Sequence, residues 1–133
     1  MILSYYLPLE SSSAGADLTV TGVVAGWDTL RIPVVGEIDI ATAPRFADAV
    51  TDMLHRWPHR RVCVDLASVR FLDSSGIKAL LDCRRRAGEQ GRELVIAAAQ
   101  PIVRRVLQIT GVLDLLAPAG AEDTQAAPPG HHR

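Results

Sequence analysis

The stretch RVCVDLASVRFLDSSGIKALL (Arg61–Leu81) places Asp-Ser-Ser-Gly between two segments of different hydrophobic pattern. Before the motif, Arg61–Leu66 is short and almost continuously apolar, which is typical of a strand in the middle of a sheet. After it, apolar residues such as Ile77 and Leu80 recur at helical spacing, with charged residues between them. The stretch therefore predicts a strand that passes through Asp-Ser-Ser-Gly directly into a helix.

The rest of the chain repeats this alternation of strands and helices. Two β-rich runs separated by Trp27-Asp28 predict a hairpin, and Pro33 weakens the second run unless its missing N–H faces no partner. Because strand–helix–strand repeats require parallel pairing, the sequence predicts an α/β domain with a mixed, mostly parallel sheet and helices packed on it. The predicted elements are strands at Asp17–Gly26, Thr29–Asp39, Arg61–Leu66 and Arg92–Ala99, helices from Thr42 or Ala43 to Pro58, from the motif to Gly88 and at Pro101–Thr110, and a final short strand or helical turn at 112–117.

Composition divides the 133 residues into one domain and two flanking segments. Residues 1–16 end in the small-residue run ESSSAGA and are predicted to be a flexible leader. Residues 17–117 form the predicted domain, and residues 118–133, rich in Pro, Gly and Ala, are predicted to be a disordered tail. The tail carries His131 and His132 without a neighbouring ligand set, so we predict no metal and no other cofactor.

The charge balance excludes several classes of partner. There are 14 Lys and Arg against 15 Asp and Glu, a formal net charge of −1, which provides no field to attract nucleic acid or an anionic membrane. No segment approaches the roughly 20 apolar residues of a membrane helix, and the N-terminal residues do not resemble a signal peptide. We therefore expect a cytoplasmic protein that binds neither nucleic acid nor membrane.

The two cysteines, Cys63 and Cys83, lie in apolar, periodic segments. In a reducing compartment such residues are usually buried thiols. A redox-switched pair is the alternative, although the chain contains no Cys-x-x-Cys spacing.

The Asp-Ser-Ser-Gly motif has a structural and several functional interpretations. Asp73 or Ser74 can cap the following helix, a contribution of about 1 kcal/mol. A nucleophile elbow, Gly-x-Ser-x-Gly, does not fit, because Leu72 stands where the first glycine is required, and both histidines outside the tail, His55 and His59, flank the far end of the first helix. Glycine-rich phosphate-binding motifs are absent as well. The motif therefore gives little support to a serine nucleophile and none to a nucleotide-binding loop.

Two motifs together resemble a known family. The segment VVGEIDIATAPRF, followed about thirty residues later by VCVDLASVRFLDSSGIKALL, is similar to the STAS domain, and within it to bacterial anti-sigma factor antagonists. The resemblance covers roughly Leu18 to Leu116 and rests on Gly-Glu-x-Asp and Asp-Ser-Ser-Gly occurring in the same chain. It implies a sheet with helices packed on it and a protein without catalytic activity of its own.

The resemblance also implies a phosphorylation switch. Members of the family bind an anti-sigma factor that is also a serine kinase. This binding releases the sigma factor. The kinase phosphorylates the second serine of the motif, here Ser75, and a phosphoserine phosphatase reverses the reaction. The residues assigned to the partner-binding surface are Glu37, Asp39, Asp73, Ser74, Ser75, Gly76 and Lys78.

Lys78 departs from the commoner family pattern, which has a small residue at that position. It lies three residues after Ser75 on the same helical face, so it is either a solvated lysine, a partner contact or a cation for a phosphoserine. The alternative function is that of a STAS regulatory subunit of a transport system or sensory assembly, which is never phosphorylated.

Overall fold

The computed structural model describes residues 6–8, 18–25 and 27–116, and these form one mixed sheet with helices packed on it. This confirms the predicted α/β fold class. In the described ranges, no helix combines the length and the hydropathy that crossing a bilayer requires. The strands are β1 (Tyr6–Pro8), β2 (Leu18–Ala25), β3 (Thr29–Ile38), β4 (Arg61–Leu72) and β5 (Glu93–Ala99), and the helices are α1 (Ala43–Arg56), α2 (Ser74–Glu89), α3 (Pro101–Ile109) and α4 (Leu113–Leu116).

The strands lie in the order β1-β2-β3-β4-β5. The hairpin followed by strand–helix–strand repeats predicted the antiparallel pair β2–β3 and the parallel pairs β3–β4 and β4–β5. The antiparallel pair β1–β2 was not predicted. Strand β1 lies inside the segment predicted as a leader; the other residues of that leader, and the whole tail predicted at 118–133, lie outside the described residues. The final segment is the helical alternative, α4.

The core is formed by alternate residues of the strands and by one face of each longer helix. In β4, for example, Val62, Val64 and Leu66 are fully buried, whereas the residues between them are half-buried. This alternation is typical of a sheet with one well-covered face. The largest helix side chains in the core are Phe46 and Met53 of α1, Leu80 of α2, Leu107 of α3 and Leu116 of α4.

The cysteines lie on different faces of the sheet. Cys83 of α2 is buried in the core, but Cys63 alternates with Val62 and Val64 and therefore points to the other face of β4. Both are free, and burial raises the pKa of each thiol, that of Cys83 to about 12. The sheet between them is incompatible with an intramolecular disulfide, so the redox-pair alternative is not supported.

Arg92 joins the end of α1 to the start of β5. Its guanidinium donates hydrogen bonds to the backbone carbonyls of Leu54 (2.8 Å), His59 (2.7 Å) and Trp57, at and just after the C-terminus of the helix. A cation is favoured there by the helix dipole, and the three carbonyls have no partner within the helix. Partial burial lowers the pKa of Arg92, but an arginine stays charged throughout the accessible pH range.

Replacing Arg92 tests this tertiary helix cap. We expect Arg92→Ala to lower the free energy of unfolding by about 1–3 kcal/mol, because buried carbonyls lose a charged donor. Arg92→Lys should recover only part of the loss, since one ammonium group lacks the planar fork that reaches several carbonyls. The measurement is urea unfolding, with the exposed Arg84 of α2 as the control. Arg84→Ala should change stability by less than about 0.5 kcal/mol, and an equal effect at both positions would contradict the assignment.

Candidate functional site

The two sequence motifs meet where β3 and β4 end side by side. The parallel register pairs Glu37 with Phe71 and Ile38 with Leu72, so the next residues of both strands leave the sheet at the same edge. The backbone N–H of Asp73 extends this pairing by donating to the carbonyl of Ile38 at 3.3 Å. The Gly-Glu-x-Asp and Asp-Ser-Ser-Gly segments are therefore direct neighbours.

Asp73, rather than Ser74, caps α2. One carboxylate oxygen of Asp73 accepts hydrogen bonds from the N–H groups of Ser75 (2.9 Å) and Gly76 (3.1 Å). The Asp73 carbonyl also accepts the first helical bond, from Ile77 at 3.0 Å. These are the donors that a helix N-terminus leaves without intrahelical partners, so Asp73 stabilises the start of α2.

Gly76 is required by a close approach between α2 and β3. A Cβ at this position would lie 2.7 Å from the carbonyl oxygen of Ile38 and would also collide with a methyl group of Leu72. The constraint comes from the neighbouring strand and not from the backbone conformation, because Gly76 is not among the glycines with positive φ. The glycine of the motif thus allows the helix N-terminus to pack on the end of β3.

Asp39 performs a similar role at the other segment. Its carboxylate accepts hydrogen bonds from the N–H groups of Ala41 (2.9 Å) and Thr42 (3.0 Å), and these bonds, that of Thr42 foremost, lower the pKa of Asp39. Thr42 is buried, and its hydroxyl accepts from the Asp39 N–H at 2.9 Å and donates to the Glu37 carbonyl at 2.7 Å. The sequence did not single out Thr42 as part of the site, since its hydroxyl bonds depend on the folded turn.

Gly36 and Pro33 lie at irregularities that set the direction of β3. The register with β4 shifts between Pro33 and Val35 and again between Gly36 and Glu37. Gly36 has φ 122°, a conformation that favours glycine, which explains the first residue of Gly-Glu-x-Asp. Pro33 is tolerated in this internal strand because it lies at the first of these irregularities.

A groove of about 280 Å³ runs beside the helix cap, between the start of α1 and the first turns of α2. Its lining is mainly apolar, and Ile40, in the loop before α1, is 78% exposed. Ser75 lines the groove, whereas Ser74 is exposed outside that lining. In the described part of the chain, no residue hydrogen bonds with the Ser75 hydroxyl. The lining residues are Ile40, Ala43, Pro44, Ala47, Ser75, Lys78, Ala79 and Asp82.

The other charged residues predicted for the site have local partners. Glu37 forms an ion pair with Arg70 of β4 at 3.2 Å. The Glu37 side chain lies on the face of the sheet that points away from the core. The Lys78 ammonium lies 3.6 Å from the carboxylate of Asp82, one helical turn further along α2. The predicted residues are therefore adjacent, but the carboxylates of Asp39 and Asp73 are used in backbone capping. Their contact with a partner stays a prediction.

Comparison with known proteins identifies the family to which the chain belongs. The STAS domain family matches residues 20–126, most of the chain, and the chain belongs to that family. It is similar to an anti-sigma-B factor antagonist of Staphylococcus epidermidis, with 28% identity over 89 residues that cover 67% of this chain and 82% of that protein. A crystal structure of an anti-sigma factor antagonist from Mycobacterium paratuberculosis has a TM-score of 0.64 at 29% identity, covering 76% of this chain and 83% of its own.

The same fold occurs in SpoIIAA, an anti-sigma factor antagonist solved in two states. Its unphosphorylated form gives a TM-score of 0.62 at 18% identity, covering 79% of this chain and 94% of that chain. The phosphorylated Bacillus form gives 0.56 at 18% identity, covering 72% and 86%. At this identity the likeness establishes the common fold.

Substitution of Gly76 tests the close approach at the site. We expect Gly76→Ala to lower the free energy of unfolding by about 1–3 kcal/mol, because the new methyl group must displace Leu72 or the end of β3. Gly88→Ala, in the same helix, is the matched control, since its Cβ would meet nothing within 4 Å. That variant should be as stable as the unmodified protein or more stable by up to about 1 kcal/mol. Urea unfolding of both measures the contrast, which would be absent if the contact were unimportant.

The lowered pKa of Asp39 predicts a pH-dependent contribution to stability. A carboxyl whose folded pKa lies below its ordinary value of 3.8 stabilises the fold above that value, and the stabilisation is lost as the pH falls through the folded pKa. The difference in Tm between the unmodified protein and Asp39→Asn should therefore be largest at neutral pH and shrink toward about pH 2. The exposed Asp48 is the control, and Asp48→Asn should show little difference at either pH. A difference for Asp39→Asn that stays constant with pH would refute the interpretation.

Proposed function

We propose that the protein is an anti-sigma factor antagonist that is switched off by phosphorylation of Ser75. In its unphosphorylated state it binds an anti-sigma factor with serine kinase activity and so releases a sigma factor. The observation that carries the proposal is that Ser75 lines the mainly apolar groove beside the helix cap. Membership of the STAS family and the similarity to anti-sigma factor antagonists support it.

Ser75 is a suitable phosphoacceptor because it is partly exposed and lines the groove, while Asp73 caps the helix. In the proposed reaction, Ser75 Oγ attacks the γ-phosphorus of ATP held by the kinase. The bond to the β–γ bridging oxygen breaks, ADP leaves, and the hydroxyl proton passes to a base of the kinase. A phosphoserine phosphatase returns the serine by adding water and releasing inorganic phosphate. The protein itself supplies the acceptor and no catalytic group.

The groove also accounts for the kind of surface the partner must present. Ile40 projects from the loop before α1, and alanines of both helices line the floor, so the partner contact is apolar at its centre. The residues predicted from the sequence surround this groove or shape it through capping. A partner that inserts apolar side chains here would leave the Ser75 hydroxyl within its contact area.

Phosphorylation would change that contact without changing the fold. The phosphate adds about −1.5 to −2 charges to a mainly apolar groove whose lining includes the Lys78–Asp82 pair. Desolvating such a group against the apolar side chains of a partner costs at least about 2 kcal/mol, which corresponds to at least roughly a 30-fold loss of affinity. The N-terminal turn of a helix tolerates negative charge, so the folded state itself is expected to persist.

The test is phosphorylation and binding with candidate anti-sigma factor kinases and ATP. Mass spectrometry should find a single phosphate on Ser75, lost in Ser75→Ala and retained in the control Ser74→Ala. Ser75→Ala should bind the kinase as tightly as the unmodified protein, and Ser75→Asp should bind it more weakly while keeping its Tm. Binding without phosphorylation by any such kinase would contradict the switch. Absence of both would favour the regulatory-subunit alternative.

A further inference from the structure

We propose that Lys78 is the counter-ion of phosphorylated Ser75: on phosphorylation its ammonium group leaves Asp82 and pairs with the phosphate across the mouth of the groove. This inference rests on the proposed phosphorylation of Ser75 and adds a residue that responds to it.

The geometry brings the two side chains to the same place. Ser75 and Lys78 are three positions apart in α2, so they project from the same side of the helix, and both line the groove. Lys78 is the one cation among the described residues of that lining, and Asp82 is the one anion. From the α1 side, the groove presents Ile40, alanines and a proline, which offer no competing charge.

The usual donors for a phosphate at a helix N-terminus are already taken. The N–H groups of Ser75 and Gly76 donate to the carboxylate of Asp73 at 2.9 and 3.1 Å. A phosphate on Ser75 Oγ would therefore add negative charge near an existing carboxylate, without gaining these two backbone donors. A nearby cation would offset part of that charge, and Lys78 is the candidate that shares the groove.

Lys78 is free to move because its present pair is weak. Its ammonium lies 3.6 Å from Asp82, and its side chain is 79% exposed, conditions in which an ion pair contributes little to stability. Asp82 would also keep a second cation, since Arg85 lies 3.9 Å from its other carboxylate oxygen. A phosphate bears more charge than a carboxylate and has three acceptor oxygens, so the exchange of partners favours phosphoserine.

The experiment uses phosphoserine incorporated at position 75 through an expanded genetic code, which removes any dependence on a kinase. The pKa of the second ionisation of the phosphate is measured by ³¹P NMR in the unmodified background and in Lys78→Met, Lys78→Arg and Arg85→Met. Removing Lys78 should raise the proton affinity of the phosphate about two- to fivefold, the size expected for an exposed ion pair. Lys78→Arg should restore the original value.

Arg85→Met is the matched control, because Arg85 also pairs with Asp82 but does not line the groove. It should leave the phosphate pKa close to that of the unmodified background. An equal pKa in Lys78→Met and the unmodified background, or an equal shift in Arg85→Met, would overturn the proposal. Neither result would bear on whether a kinase phosphorylates Ser75, which mass spectrometry tests independently. The counter-ion proposal can therefore fail while the phosphorylation proposal stands.

Discussion

The N-terminus of α2 packs directly on the end of β3, and this contact leaves no space for a side chain at position 76. The helix can approach so closely because Gly76 presents only hydrogen toward the carbonyl of Ile38. Asp73 completes the junction by donating its N–H to that carbonyl and accepting the first N–H groups of the helix. The position of the loop after β3 relative to Ser75, and hence the groove, depends on this junction.

The two acidic side chains of the junction, Asp39 and Asp73, have a structural role in the fold. The carboxylates of Asp39 and Asp73 each accept hydrogen bonds from two backbone N–H groups. Both carboxylates therefore stabilise local backbone structure. What remains for a partner is an apolar groove, an exposed isoleucine and a serine hydroxyl. A surface of this kind is sensitive to phosphorylation because the added charge enters a region with few polar partners.

Most of the secondary structure could be predicted from local signals. Hydrophobic periodicity located every strand and helix longer than one turn between residues 18 and 109, and Pro101 and Gly111 marked the limits of α3. The parallel pairing of β3, β4 and β5 also followed, since strand–helix–strand repeats require it. By contrast, two residues were equally suitable as the cap of α2, because Asp and Ser have similar capping preferences and the choice depends on how the chain leaves β4.

The sequence by itself determined the α/β class, the strand–motif–helix junction and the two motifs that identify the family, because these depend on residue type and spacing along the chain. Tertiary structure alone decided that Gly76 is needed for packing, that Thr42 joins the loop after β3 to the strand, and that Ile40 and Ser75 share a groove. It also decided that Lys78 forms an ion pair with Asp82 and that Arg92 caps the C-terminus of α1. These contacts join residues by the distance between folded elements, and no local pattern in a single sequence encodes that distance.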